Sequence, residues 1–292
     1  MKTSTYFFMV TIVAVTMLTS VQRSDRSSNH NLELQQAITS GTIVCKASGA
    51  GGYSGRSVKL TLKNNKQQTI SIHVPVGTLF YPDDPGQQTL ITVEQQIIIL
   101  APGEKKSQEI FAYCSEHYDR SPNTSSTFSL GRNKKALFDS LFQFTGNLEI
   151  PESDHQAMVW AISDNSPVSA IGIETLDQKK LRKYLFELTG QSISDFASGY
   201  LISIDENGYI VKKLYRITGD MEFTSEKMRY AYQEVYTPEG KLKFRSNMAL
   251  EIPVGRSDYK FNIDVKDWLK GKYTLNMVDR KEILGTCEFE VI

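Results

Sequence analysis

Between Gly77 and His117 the chain reads GTLFYPDDPGQQTLITVEQQIIILAPGEKKSQEIFAYCSEH, and this stretch limits the fold more than any other. Its apolar runs (TLITV, QIIIL, EIFAYC) are short, rich in β-branched residues and bounded by Pro, Gly and Asp turns. That pattern predicts antiparallel strands. The same grammar extends upstream. TSGTIVCKA predicts a first strand after a short helix over 31–38, and Val58 to Leu62 alternates apolar with polar residues. Asn64-Asn65-Lys66 then leads into QTISIHVPVG, which predicts a hairpin.

Beyond Cys114 comes a polar loop, SEHYDRSPNTSSTFSLGRN, with a sequon at Asn123 that matters only in a glycosylating host. The period then changes. Leu137, Phe138, Leu141, Phe142 and Phe144 fall at helical spacing; a second helix starts near Pro151-Glu152 and carries Met158, Val159, Trp160 and Ile162. A third places Leu181, Tyr184, Leu185 and Leu188 on one face and stops at Gly190. From Tyr200 strands resume, with an Asn207-Gly208 turn and later turns at Lys270-Gly271 and Asp279-Arg280. The expected fold is mainly β with a helical insert: two β-sandwich (immunoglobulin-like) domains joined by a three-helix connector. The expected boundaries are 21–118 for the first sandwich, 119–198 for the connector packed on it, and 199–292 for the second.

Compartment follows from the start of the chain. Lys2 precedes an apolar run from Tyr6 to Leu18, short for a membrane span and followed by polar residues. Residues 1–20 are expected to be a signal peptide, with an uncleaved anchor as the rival. The mature chain is expected to be secreted, periplasmic or at the cell surface, with no further span. Lys plus Arg equals Asp plus Glu at 33 each, which argues against a nucleic-acid partner.

Export permits a disulfide among Cys45, Cys114 and Cys287, and the odd count leaves one thiol over. Cys45 with Cys114 would staple the first and last strands of the first sandwich. No CxxC or paired Cys/His spacing predicts a metal site, and nothing calls for a cofactor. The four glycines between Gly49 and Gly55 lack the following Lys-Ser/Thr and helix of a phosphate loop, so they predict a structural turn. Asp83-Asp84 lacks the repeated oxygens of a calcium loop. His117 and His155, with Asp119 and Asp154 beside them, would form an acid–base site only if folding brings them together.

Two resemblances add to this. With Gly208-Tyr209-Ile210-Val211 and Trp268-Leu269-Lys270-Gly271-Lys272-Tyr273-Thr274-Leu275, the last third resembles the immunoglobulin-like terminal domains of exported Bacteroidota proteins. Some of those act as sorting signals, but this sequence ends in CEFEVI where they carry a basic terminus. Tyr113-Cys114, followed by Gln156-Ala157-Met158-Val159-Trp160, is similar to part of the bacterial thioester adhesin domains. That resemblance implies a reactive Cys114 bonded to a later glutamine, for which Gln233 has the matching surroundings. The functional expectation is an exported, non-catalytic binding, adhesion or assembly protein of the cell envelope, whose ligand is a protein or a surface glycan. The alternatives are a thioester adhesin using Cys114 and a hydrolase with a site near His117 and His155. Cys114, Gln156, Trp160 and His117 are the residues to locate.

Overall fold

The computed structural model describes residues 30–132 and 135–291. The expected signal peptide lies outside the described residues. Within them the protein is mainly β with a helical insert.

The first unit comprises β1 (His30–Glu33), α1 (Leu34–Thr39), β2 (Ile43–Gly49), β3 (Val58–Asn64), β4 (Ile70–Val74) and β5 (Thr78–Pro82). It continues with β6 (Leu90–Ile91), β7 (Gln96–Leu100), β8 (Lys105–Ile110), β9 (Tyr113–Cys114) and β10 (Thr127–Arg132). One sheet runs β8-β3-β2-β10-β5-β6-β9 and a smaller one β1-β4-β7. Alternation along β3 sends Val58, Leu60 and Leu62 inward, where they join Ile70, Ile72, Phe80 and Leu100 in one core.

Three expectations change here. The run from Val58 to Val74 is not a hairpin, because β3 lies in the large sheet and β4 in the small one. Asn64 makes the crossing possible: its buried amide donates to the carbonyls of Gln68 and Ala101, both at 2.8 Å, and accepts from Lys66 N at 2.8 Å. A turn residue that bonds backbone locally frees the chain from the ladder. Next, TFSLGR is strand β10, inserted between β2 and β5 with Phe128 packed edge-on against Phe80. The first sandwich therefore extends to Arg132 instead of ending at 118. Finally, EIFAYC divides into β8 and β9, which occupy opposite ends of the seven-stranded order with only Phe111 and Ala112 between them. Ile110 and Tyr113 are then at most about 11 Å apart, so the sheet curls until its ends nearly meet. The glycine-rich loop seals the seam, since Ala112 N donates to Gly55 O (2.8 Å) and Cys114 N to Tyr53 O (2.9 Å). Positive φ at Gly51, Gly52 and Gly55 lets that loop fold back over the gap.

The helical insert comprises α2 (Ala136–Thr145), α3 (Glu152–Ser163), a 3-10 turn (Val168–Ala170) and α4 (Leu176–Thr189). A Thr175/Gln178 capping box opens α4 and Gly190, with φ of 71°, closes it. These helices cover the outer face of β5, β6 and β9, and Leu141, Val159, Leu181 and Leu185 meet Leu79, Ile91 and Tyr113 in a second core. Helix α3 lies deepest: six consecutive apolar or aromatic positions span Ala157 to Ile162, all but Ala157 buried. A helix apolar all round is one enclosed on every side.

The second unit comprises β11 (Phe196–Ile204), β12 (Ile210–Ser225), β13 (Arg229–Tyr236), β14 (Leu242–Arg245), β15 (Leu250–Ile252), β16 (Gly255–Asp264), β17 (Gly271–Asp279) and β18 (Glu282–Val291). Its sheets run β11-β12-β16 and β14-β13-β17-β18, with β15 on β13. Ile217, Phe261, Tyr273, Leu275 and Phe289 fill the space between them. The Asn207-Gly208 hairpin joins β11 to β12 as predicted. Residues 210–214 of β12 pair only with β11. This free half of the hairpin reaches back to the first unit, where Ser121 N donates to Gly208 O at 2.7 Å.

Candidate functional site

Helix α3 faces the β11–β12 hairpin across a cleft of about 710 Å³, walled by His117, Trp160, Asp164, Tyr200, Lys212 and Arg216. Gln156, Trp160 and Asp164 follow one another at i, i+4 and i+8, so they form one stripe along α3 and its C-terminal end. Gln156 stands at the base. Its Oε1 accepts from Cys114 N (3.1 Å) and its Nε2 donates to Cys114 O (2.8 Å), so the amide takes the place of a neighbouring strand beside β9.

Trp160 is 2% exposed. Tyr53 stacks on it with ring centroids 6.0 Å apart, and Lys212 Nζ lies 3.7 Å from its ring centroid, a close cation–π contact. Its indole Nε1 has no hydrogen-bond partner among the described residues. His117 lies edge-on to the same indole, with Nδ1 3.4 Å from Asp164 Oδ2 and its backbone N donating to that oxygen at 3.1 Å. Burial, then the Lys212 charge, pushes the imidazole below its ordinary value against the pull of Asp164. His117 is therefore neutral at pH 7.

A β-bulge shapes the opposite wall. Gly199 pairs with Arg216 and Tyr200 with Leu214, which leaves Tyr215 as the extra residue. Bulges re-aim side chains, and here Tyr215 and Arg216 both reach the cleft.

Burial pushes the Lys212 ammonium down to about 8 from an ordinary 10.5, opposed by Asp164. The folded value lies below the unfolded one, so charged Lys212 costs stability at every pH below about 8. The cost is relieved as pH rises from about 8 to 10.5. Relative to Lys212→Met, the wild-type protein is accordingly expected to gain stability between pH 7.5 and 9.5 in urea titrations. Parallel curves across that interval would contradict the burial of this cation.

The expected histidine constellation does not form. His155 lies within 2.9 Å of the Tyr113 hydroxyl and is absent from the cleft wall. Asp154 accepts from Gln178 Nε2 at 2.6 Å, and Asp119 contributes only its carbonyl, to Gln88. Asp164 is the carboxylate that meets His117, and the sequence reading passed over it.

The cysteines are also corrected. Cys45, Cys114 and Cys287 are all free. Three strands lie between β2 and β9 in the sheet, each about 4.8 Å from the next, whereas a disulfide needs Cα atoms within about 7 Å. Cys114 is fully buried, and that burial pushes its thiol up, which favours the protonated form. Gln233, named as the thioester partner, lies on β13 in the second unit, where it accepts from the Tyr259 hydroxyl at 2.9 Å. The structure thus brings Gln156, Trp160 and His117 to the cleft and leaves Cys114 behind Gln156.

A larger cavity of about 820 Å³ lies between α4 and the second unit. Three of its charged side chains are already paired, with Lys179 on Asp220 at 2.9 Å and Glu222 on Arg256 at 2.5 Å. Among the described residues no group of three His, Cys, Asp or Glu side chains could hold a metal ion, and no helix is long and apolar enough to cross a membrane.

No family model matches this chain, and no curated protein does. Among solved structures, the crystal structure of a selenomethionine-labelled β-glucosidase from Kluyveromyces marxianus is similar at 10% identity with a TM-score of 0.21. The match covers 80% of this chain and 44% of that one. The chain thus spans less than half the length of that enzyme, and a TM-score so low carries no argument about fold or function.

Proposed function

We propose that this is an exported envelope or secreted binding protein that holds its ligand in the cleft between α3 and the β11–β12 hairpin without transforming it. The observation that supports this most is Lys212, an ammonium kept partly buried at a cost to stability over the Trp160 ring. A charge retained against burial at a concave, ligand-sized opening marks a site more than a scaffold. Cys114, the nucleophile the sequence offered, is sealed in the core.

Ser153 tests the reading. It is exposed, lies in the first turn of α3 and lines the cleft, so Ser153→Trp fills the opening without entering a core. Wild-type protein is expected to bind a component of a panel of surface glycans and envelope proteins, and Ser153→Trp to lose at least tenfold in affinity. The bound component is expected to be recovered with unchanged mass. Equal binding by both proteins would place the site elsewhere.

The acid–base alternative draws on one observation, the approach of His117 to Asp164. Under that reading the recovered ligand is cleaved, and cleavage disappears in His117→Ala.

A further inference from the structure

Several polar atoms in this protein are buried without a partner among the described residues, and two of them belong to walls of the same cleft: Trp160 Nε1 and Arg216 Nε. Leaving such a group unpaired costs about 1–3 kcal/mol, and native structures concentrate these lapses where a ligand completes the bonding. The chemistry of the pair is one-sided. An indole N–H and a guanidinium Nε–H can only donate. Lys212 adds a cation with three donors in the same wall.

A ligand that completes this set is rich in acceptors and carries negative charge. Peptide backbone brings as many N–H as C=O groups and would leave half of its own polar groups unmatched here. A sugar acid does better, since its hydroxyls accept from the indole and arginine while its carboxylate takes Lys212. The dimensions agree. Lys212 and Arg216 are four residues apart on β12, at most about 13 Å along a strand, which is the reach of a disaccharide. Tyr118, 71% exposed and tilted against His117 with ring centroids 3.8 Å apart, offers a ring at the rim for a pyranose face.

We infer that the cleft recognises an acidic saccharide, with a uronate carboxylate seated at Lys212 beside Trp160 and the neighbouring sugar extending toward Arg216. This rests on the binding reading given above and names its ligand class. Asp164 and Asp154 are the carboxylates of the same wall. The first accepts from His117 N and favours the Lys212 charge without an ion pair between them among the described residues, and the second is taken by Gln178, so the Lys212 donors remain open to a ligand.

Isothermal titration of the full chain with digalacturonate, with its neutral counterpart galactobiose and with an acidic tetrapeptide decides the matter. Digalacturonate is expected to bind at least tenfold more tightly than galactobiose, and more weakly as KCl is raised. Lys212→Met, its fold verified by circular dichroism, is expected to erase that tenfold preference and the dependence of digalacturonate binding on KCl. If both sugars bind equally, or Lys212→Met keeps the preference, the cleft still binds sugar but the carboxylate assignment falls. Tighter binding of the tetrapeptide overturns the saccharide. If neither sugar binds wild-type protein at millimolar concentration the inference fails outright. The Ser153→Trp comparison on the glycan and protein panel then reports separately whether the cleft binds anything.

Discussion

Arg182→Met is expected to destabilise the protein by about 4–6 kcal/mol, the largest effect of any single side chain here. Arg182 projects from α4 and is 4% exposed. Its Nη1 donates to the carbonyls of Ser169 (3.3 Å) and Ile171 (2.7 Å), and its Nη2 to those of Ser194 and Phe196, both at 2.7 Å. One planar guanidinium thus ties the 3-10 turn to the entry of β11, at the joint between the helical insert and the second unit. Burial pushes its pKa down to about 10, with Asp195 and Asp154 opposing, so it remains charged at neutral pH. Methionine fills similar space but leaves four carbonyls without this donor, each worth about 1–3 kcal/mol when buried and unpaired. Lysine keeps the charge without the fork, and Arg182→Lys is expected to recover less than half of the loss. Urea unfolding of the two variants against wild type measures both. A loss below about 1 kcal/mol for Arg182→Met would mean that water reaches those carbonyls.

Gln156→Leu is expected to cost about 3 kcal/mol. Leucine nearly matches the side chain in volume, so the packing of α3 survives while Cys114 O loses its donor in a fully buried place. Gln156→Glu is expected to be worse near neutral pH, because a carboxylate oxygen would then face that carbonyl. Thermal unfolding of the pair gives the order directly. If Glu proves the milder change, the buried acid is protonated and its O–H donates to Cys114 O in place of the amide.

Much of this fold is legible in the sequence wherever the signal is local. The capping box at Thr175 and the stop at Gly190, the Asn-Gly turn at 207–208 and the alternation of Val58 to Leu62 all specify their elements by neighbours alone. The connection between sheets at Asn64 is not legible, since the same Asn-rich turn serves a hairpin equally well and only the carbonyls of Gln68 and Ala101 decide between them. Strand β10 escaped notice because just one of its residues, Phe128, is buried. The cleft was legible in half. Gln156, Trp160 and His117 stood out as unusual types in one neighbourhood. Lys212 and Arg216 looked like ordinary strand cations until the bulge at Tyr215 placed them opposite α3, a long-range event with no local mark. Asp164 had a mark, the i+4 step from Trp160, that a stricter reading of the helix stripe would have caught.

The near-closure of the large sheet bears on how copies of this chain avoid pairing edge to edge. Exposed strand margins are templates on which other chains aggregate. In the seven-stranded sheet β9 presents no such template, because Tyr53 and the Gln156 amide already occupy the bonding groups of Cys114. The second unit protects itself by other means. Its terminal strand β14 is short and fully exposed, carrying Leu242 and Phe244 between Lys243 and Arg245, and those cations repel an incoming copy. Variants that neutralise β14 would therefore invite self-association, and at β9 the same hazard arises if the glycine loop or Gln156 lets go of Cys114.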